Sequence, residues 1–169
     1  GSGNLQTIMG KWKSAGSRTE LTISGGSFIF TNSNGTTAAD TAASGIFASS
    51  GNTWHHCIAS YDGNRGYLYI NGSIVASGPD FADGVISPVG SLYFGIRAIG
   101  QGRQYTGDLA EFRIYNRSLS GTDVTNLFSG SNIKGGLVGY WKLGESIGSF
   151  AGNSTSVEMP TKDAIAHWR

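Results

Sequence analysis

The chain has 169 residues, a formal net charge of +1, only 14% charged residues, 27 glycines and 3 prolines. That length holds one domain with a real core plus a tail. The sparse charge excludes a surface that grips a phosphate backbone through counterion release, so nucleic acid is not an expected partner, and no apolar run approaches the roughly 18 residues of a membrane-spanning helix.

From Leu5 to about Tyr115, short β-like runs alternate with clusters of Gly, Asn, Asp and Ser, the spacing of a sandwich or jelly roll. Strands are expected, in chain order, at Thr7–Lys13, Thr19–Ser24, Ser27–Thr31, Asn52–Tyr61, Arg65–Ile70, Ser73–Ala76, Ser91–Ile96 and Asp108–Tyr115. The segment YLYI-NG-SIVA carries the clearest local signal, because Asn71 and Gly72 both tolerate the positive φ that a type I′ hairpin turn demands. Asp62-Gly63-Asn64 supplies another turn just upstream, so Trp54–Ala76 reads as a three-strand meander, with Trp54 expected in the core at the start of a central strand. One short helix is expected over Gly121–Phe128. Ser120 suits its N-cap, Asp123 completes a capping box, and Leu119 can staple onto Val124.

After Gly130 the chain reads GLVGYWKLGE, then a Ser/Gly/Asn stretch, then DAIAHWR. Leu137-Val138-Gly139-Tyr140-Trp141-Lys142 and Ala164-Ile165-Ala166-His167-Trp168-Arg169 echo each other, their tryptophans 27 positions apart (168 minus 141). Gly136–Lys142 is expected to be a strand, since Leu137, Val138, Tyr140 and Trp141 are too apolar to leave in water. Residues 1–130 thus read as one domain, and 131–169 as a linker with strand-like segments.

Thr53 to Gly78, TWHHCIASYDGNRGYLYINGSIVASG, resembles the core of laminin-G-like, pentraxin-like domains of the concanavalin A-like lectin/glucanase fold. The pattern there is W-H-H-V-A-x-x-Y-D-G, a short gap, then L-Y-[VI]-N-G-x-x-V-A. Tyr105 to Phe128, YTGDLAEFRIYNRSLSGTDVTNLF, is similar to the segment that closes such domains. The resemblance implies an all-β, antiparallel jelly-roll sandwich with one short C-terminal helix and an extra strand after it. By fold-level analogy it also implies recognition of glycans or surface proteins in an extracellular or cell-surface setting, a virion surface being the alternative. GLVGYWKLGE and DAIAHWR both resemble the family's opening strand, which normally comes first. Three arrangements follow: a tandem array cut out of frame, a late strand folding back to replace the missing first one, or a strand added to a neighbouring subunit's open sheet. A structural role, as a unit of a filament, sheath or virion that self-associates through edge strands, is the alternative function.

Glucanases of this fold place carboxylates at even steps along one strand. Asp108 and Glu111 are three apart and the E-x-D-x-x-E run is absent, so the chain is expected not to be an enzyme, a glycoside hydrolase-related role being the weakest reading. His55 and His56, adjacent on an expected strand, should point oppositely, one packed and one exposed, and cannot share an ion. Calcium is the cofactor to consider, held at a sandwich rim by Asp40, Asp80 and Asp83 from expected loops; solvated carboxylates are the plain alternative. Glu111 and Arg113 are expected to share a face as an ion pair. Tyr67 and Tyr69 share a face where they could stack on sugar rings, and Arg97, Gln101, Arg103 and Gln104 are further ligand-binding candidates on a loop.

Overall fold

The computed structural model describes residues 5–12, 17–34, 37–47, 53–80, 90–98, 100, 102–143 and 165–168. In chain order the elements are β1 (Gln6–Trp12), β2 (Ser17–Ser24), β3 (Ser27–Asn34), β4 (Ala38–Ala43), β5 (Cys57–Tyr61), β6 (Arg65–Ile70), β7 (Ser73–Asp80), β8 (Leu92–Phe94), β9 (Phe112–Tyr115), α1 (Gly121–Phe128), β10 (Leu137–Trp141) and β11 (Ile165–Trp168). They form two antiparallel sheets, β4-β3-β2-β1-β8 and β10-β9-β11-β5-β6-β7. The result is the jelly-roll sandwich expected from the sequence.

Period-two alternation explains the core except at the adjacent Ile8 and Met9, where a register shift in β1 admits both. Ile8, Met9, Leu21, Phe28, Phe30 and Ala43 from the first sheet meet Cys57, Ala59, Leu68, Ile70, Phe112, Ile114 and Val138 from the second. Each large side chain fully buried there contributes about 1.5–3 kcal/mol. Since Cys57 and Ala59 face inward, Ile58 faces outward, and there it joins Tyr115, Leu119, Val124 and Leu127 in a second apolar cluster that seats α1 on the outer face of the second sheet. The Tyr115 hydroxyl donates to the Ile133 carbonyl (3.1 Å), and the Leu119 N–H donates to the Ser60 hydroxyl (3.2 Å).

Local signals translate closely into structure. Asn71 and Gly72 have φ of 50° and 82°, the doubly left-handed turn that joins β6 to β7. The Ser120 side chain accepts from the Asp123 N–H while the Asp123 carboxylate accepts from the Ser120 N–H, the reciprocal capping box.

Several expectations are corrected. β5 begins at Cys57, because the preceding coil is tied to the hairpin turn instead: the His56 N–H donates to Asn71 Oδ1 (2.9 Å) and the Asn71 N–H donates to the His56 carbonyl (2.8 Å). Trp54, expected in the core, therefore lies before the strand and is 58% exposed. Neither histidine is exposed: His55 packs edge-on to Phe47 (5.2 Å) and His56 lies against Phe128 (5.5 Å). β9 begins only at Phe112, because Glu111 adopts a left-handed φ of 58° that ends any strand running from Asp108. β4 falls where no strand was expected, since alanines and an aspartate carry little β propensity. It is held by six-residue pairing with β3 and by buried Thr41 and Ala43, and it places Asp40 on a strand, not in a loop.

The tail returns to its own sheet. β10 pairs with β9 at the sheet edge, and β11 lies between β9 and β5, antiparallel to both.

Candidate functional site

Leu21 points into the core, so its neighbours Glu20 and Arg18 must project from the opposite, outer face of the first sheet. In register, Glu20 lies across from Gly10 on β1 and Thr31 on β3, while Arg18 lies across from Trp12 and Ser33. The segment after β8 folds over this patch and is pinned to β1 by the Gly95 N–H donating to the Ile8 carbonyl, the Thr7 N–H donating to the Arg103 carbonyl, and the Thr106 N–H donating to Gln6 Oε1, each at 2.8 Å. Gly10 allows the approach: a Cβ there would stand 2.5 Å from the Arg97 carbonyl oxygen. Arg103 holds a left-handed φ of 61°, a conformation that costs a non-glycine residue about 1–2 kcal/mol.

This loop delivers two more guanidinium groups to Glu20. Arg97 Nε lies 2.6 Å from Oε1, Arg18 Nε 3.2 Å from Oε2, and Arg103 Nη1 3.9 Å from Oε2. The Nε contacts of Arg18 and Arg97 are ion pairs whose angles fall short of hydrogen-bond geometry. The Glu20 side chain is 3% exposed, against 14% for Arg97, 23% for Arg18 and 34% for Arg103. Among the described residues, three cations thus gather at one carboxylate, and the most exposed of them is Arg103. Burial lowers the Arg103 pKa, the neighbouring Arg97 lowers it further, Glu20 opposes the shift, and Arg18 adds to it. The Arg97 guanidinium also sits over the Trp12 ring, 5.0 Å from its centroid. Chemically, the patch is a set of cationic donors held in place by one buried acceptor, suited to a planar or tetrahedral anion.

The sequence pointed to Arg97, Arg103 and Gln104; the structure brings the two arginines together and leaves Gln104 exposed beside them. Gln101 and Asp83 lie outside the described residues. Arg18, Glu20 and Trp12 were missed, although a carboxylate inside the strand TELTIS, two positions from an arginine, was a readable sign of a shared face.

The other candidates are scattered. The Tyr67 hydroxyl donates to Asp62 (2.9 Å), and Tyr69 packs against the helix cluster. Asp80, expected in a loop, instead ends β7 across from Arg65, with which it pairs (2.5 Å), and accepts from Asn64 (3.1 Å), while Asp40 is exposed on β4. No group of three or more His, Cys, Asp or Glu residues is placed to hold a metal ion among the described residues. Arg113 lies 2.8 Å from Glu111, which also accepts from the Tyr140 hydroxyl, and its guanidinium stacks on the Tyr140 ring at 4.4 Å.

Residues 2–125 match a family model described as the concanavalin A-like lectin/glucanases superfamily. The chain belongs to that superfamily. Among solved structures, it is similar to residues 221–444 of an S-layer domain-containing protein from Clostridium thermocellum, at 20% identity and a TM-score of 0.40. That likeness covers 74% of this chain and 63% of the other, so the chain spans less than two thirds of that structure. No curated protein sequence matches the chain. Superfamily membership agrees with the two-sheet architecture, and it leaves the ligand to be argued from the arginine cluster itself.

Proposed function

We propose that this superfamily member is a non-enzymatic recognition module that works outside the cell and binds carbohydrate, with acidic sugars preferred, at the Arg18–Arg97–Arg103 cluster. The observation that carries the reading is the convergence of three guanidinium groups, Arg103 the most exposed, on Glu20, with a loop held there at some conformational cost. The partly open Arg103, beside two further guanidinium groups, suits a uronic acid carboxylate or a sulfate ester, which guanidinium recognises with paired, charge-assisted hydrogen bonds. Stacking has a lesser part, because Arg97 already covers one face of Trp12.

A glycan array carrying neutral, carboxylated and sulfated sugars tests this directly, run with calcium and again with chelator. Binding should favour acidic sugars and weaken as salt rises. Arg103→Ala, which removes the most exposed of the three side chains, should lower affinity about tenfold or more, the scale of one hydrogen bond to a charged group. Binding confined to neutral sugars, or unchanged in Arg103→Ala, would move the site elsewhere. Loss of binding in chelator would instead favour calcium, with Asp40, Asp80 and Asp83 as the ligands expected from the sequence.

A further inference from the structure

The centre of the six-stranded sheet holds a gap that β5 and β9 cannot close between themselves. Both run antiparallel to β11, so they are parallel to each other and meet only through the strand between them. The walls of this gap are core: Cys57, Ile58, Ala59, Ser60, Phe112, Ile114 and Tyr115 are all buried. The strand that fills it is short. β11 pairs with Arg113, Ile114 and Tyr115 on β9, but on β5 only with Ile58 and Cys57, and its ladder does not extend to Ala59 and Ser60.

The other edge of β9 carries a segment of the same pattern in the same register. Gly139 and Ala166 both lie across from Ile114, and Tyr140 and His167 both lie across from Arg113. These pairs differ by 27 positions (166 minus 139, 167 minus 140), the offset that relates LVGYWK to AIAHWR in the sequence. One strand thus accepts two copies of one motif, one on each edge. What the slot selects is the motif's backbone pattern and register, and these are present in every copy of the chain.

We infer that the β5–β9 slot is an exchange site, filled in trans by the Ile165–Trp168 segment of a second copy of this chain. From residue 143 to residue 165 there are 22 steps (165 minus 143), which span up to roughly 70 Å when extended, against about 40 Å for a domain of this size. The segment can therefore reach a neighbour. Exchange remakes the same ladder, so it is nearly neutral in energy, as in domain swapping. A segment entering from outside is free to continue the register along β5 to Ala59 and Ser60, where the intramolecular ladder stops. In dilute solution the tether favours the chain's own segment; at a crowded surface, where neighbours approach the effective concentration of the tether, exchange links copies together.

The test uses full-length chains and the native thiol. Trp168 lies across from Cys57, at a separation a disulfide can bridge, and Cys57 is buried, so only a segment seated in the slot can reach it. A Cys57→Ser/Trp168→Cys chain is mixed with native chain under mild oxidation, over a range of concentrations. A disulfide between Cys57 of the native chain and the thiol at position 168 of the variant, in yield rising with concentration, is the expected result. It should be at least tenfold weaker for Cys57→Ser/His167→Cys, which displaces the thiol by one position in the register. A Trp168→Cys chain that forms only an internal disulfide, with no linked dimer in the mixture, would overturn exchange. Absence of both links would overturn the slot assignment, provided that Ala166→Cys/Ile114→Cys, which bridges β11 to β9 instead, also fails to form its bond.

Discussion

On the outer face of the six-stranded sheet, Ile58 and Tyr115 are apolar and are sealed by Leu119, Val124 and Leu127 of the capped helix. On the outer face of the five-stranded sheet, the central positions are Arg18, Glu20 and Thr22 of β2, and what covers them is a loop that brings two further arginines. The two sheets share one core and the same alternation, yet one outer face is closed by hydrophobic burial and the other by charge. Apolar closure is stable without a partner. A buried carboxylate that holds three cations is needed by all of them, and under the proposed function the exposed side of Arg103 is where an added anion would enter.

The sharpest way to break that contrast is to remove Glu20. Glu20→Ala removes the buried carboxylate that three guanidinium groups approach and should cost about 3–5 kcal/mol in chemical denaturation. Added sulfate should then stabilise the variant more than the native chain, because it supplies the missing charge. A loss below about 1 kcal/mol would mean that the cluster behaves as a solvated surface. On the opposite face, Leu127→Ala removes a buried apolar contact and should cost about 2–4 kcal/mol, with a sulfate response no larger than that of the native chain. The salt response, more than the size of either loss, separates the two kinds of closure.

The helix face was legible in the sequence and the charged face was not, for a physical reason. Ser120, Asp123, Leu119 and Val124 act over a few residues, as do Asn71 and Gly72, so short-range patterns specify them. The arginine cluster joins β2 to a loop some eighty positions later, and its pairing is set by strand register, which depends on the whole sheet. Trp54 went wrong for a related reason: its sequence suits a strand, but the backbone there is held by the side chain and main chain of Asn71. β4 was missed because its composition is poor in strand formers, and tertiary pairing alone fixes it.

A smaller effect sharpens the helix side. Ser120→Ala removes the side-chain acceptor for the Asp123 N–H and should cost about 1 kcal/mol, without altering glycan binding or the sulfate response. A loss of binding in this variant would show that the two faces communicate.

The smallest effect is one of pH. The Arg117 guanidinium, 2.8 Å away, is the main cause that holds the Asp123 carboxyl well below the usual aspartate range; burial opposes it, and the Ser120 N–H and hydroxyl add to it. A carboxyl whose pKa is depressed in the folded state stabilises the fold fully above the ordinary aspartate value and loses that contribution as pH falls through its folded value. The native chain should therefore lose helix-face stability below about pH 4, in a window where Asp123→Asn, already lacking the charge, shows a flatter profile. The pair is partly exposed, so the difference should be modest and should shrink in high salt. Denaturation midpoints between pH 6 and pH 2 for the two chains would measure it. Parallel curves would mean that the cap works through hydrogen-bond geometry alone, and that charge matters only on the other face of the molecule.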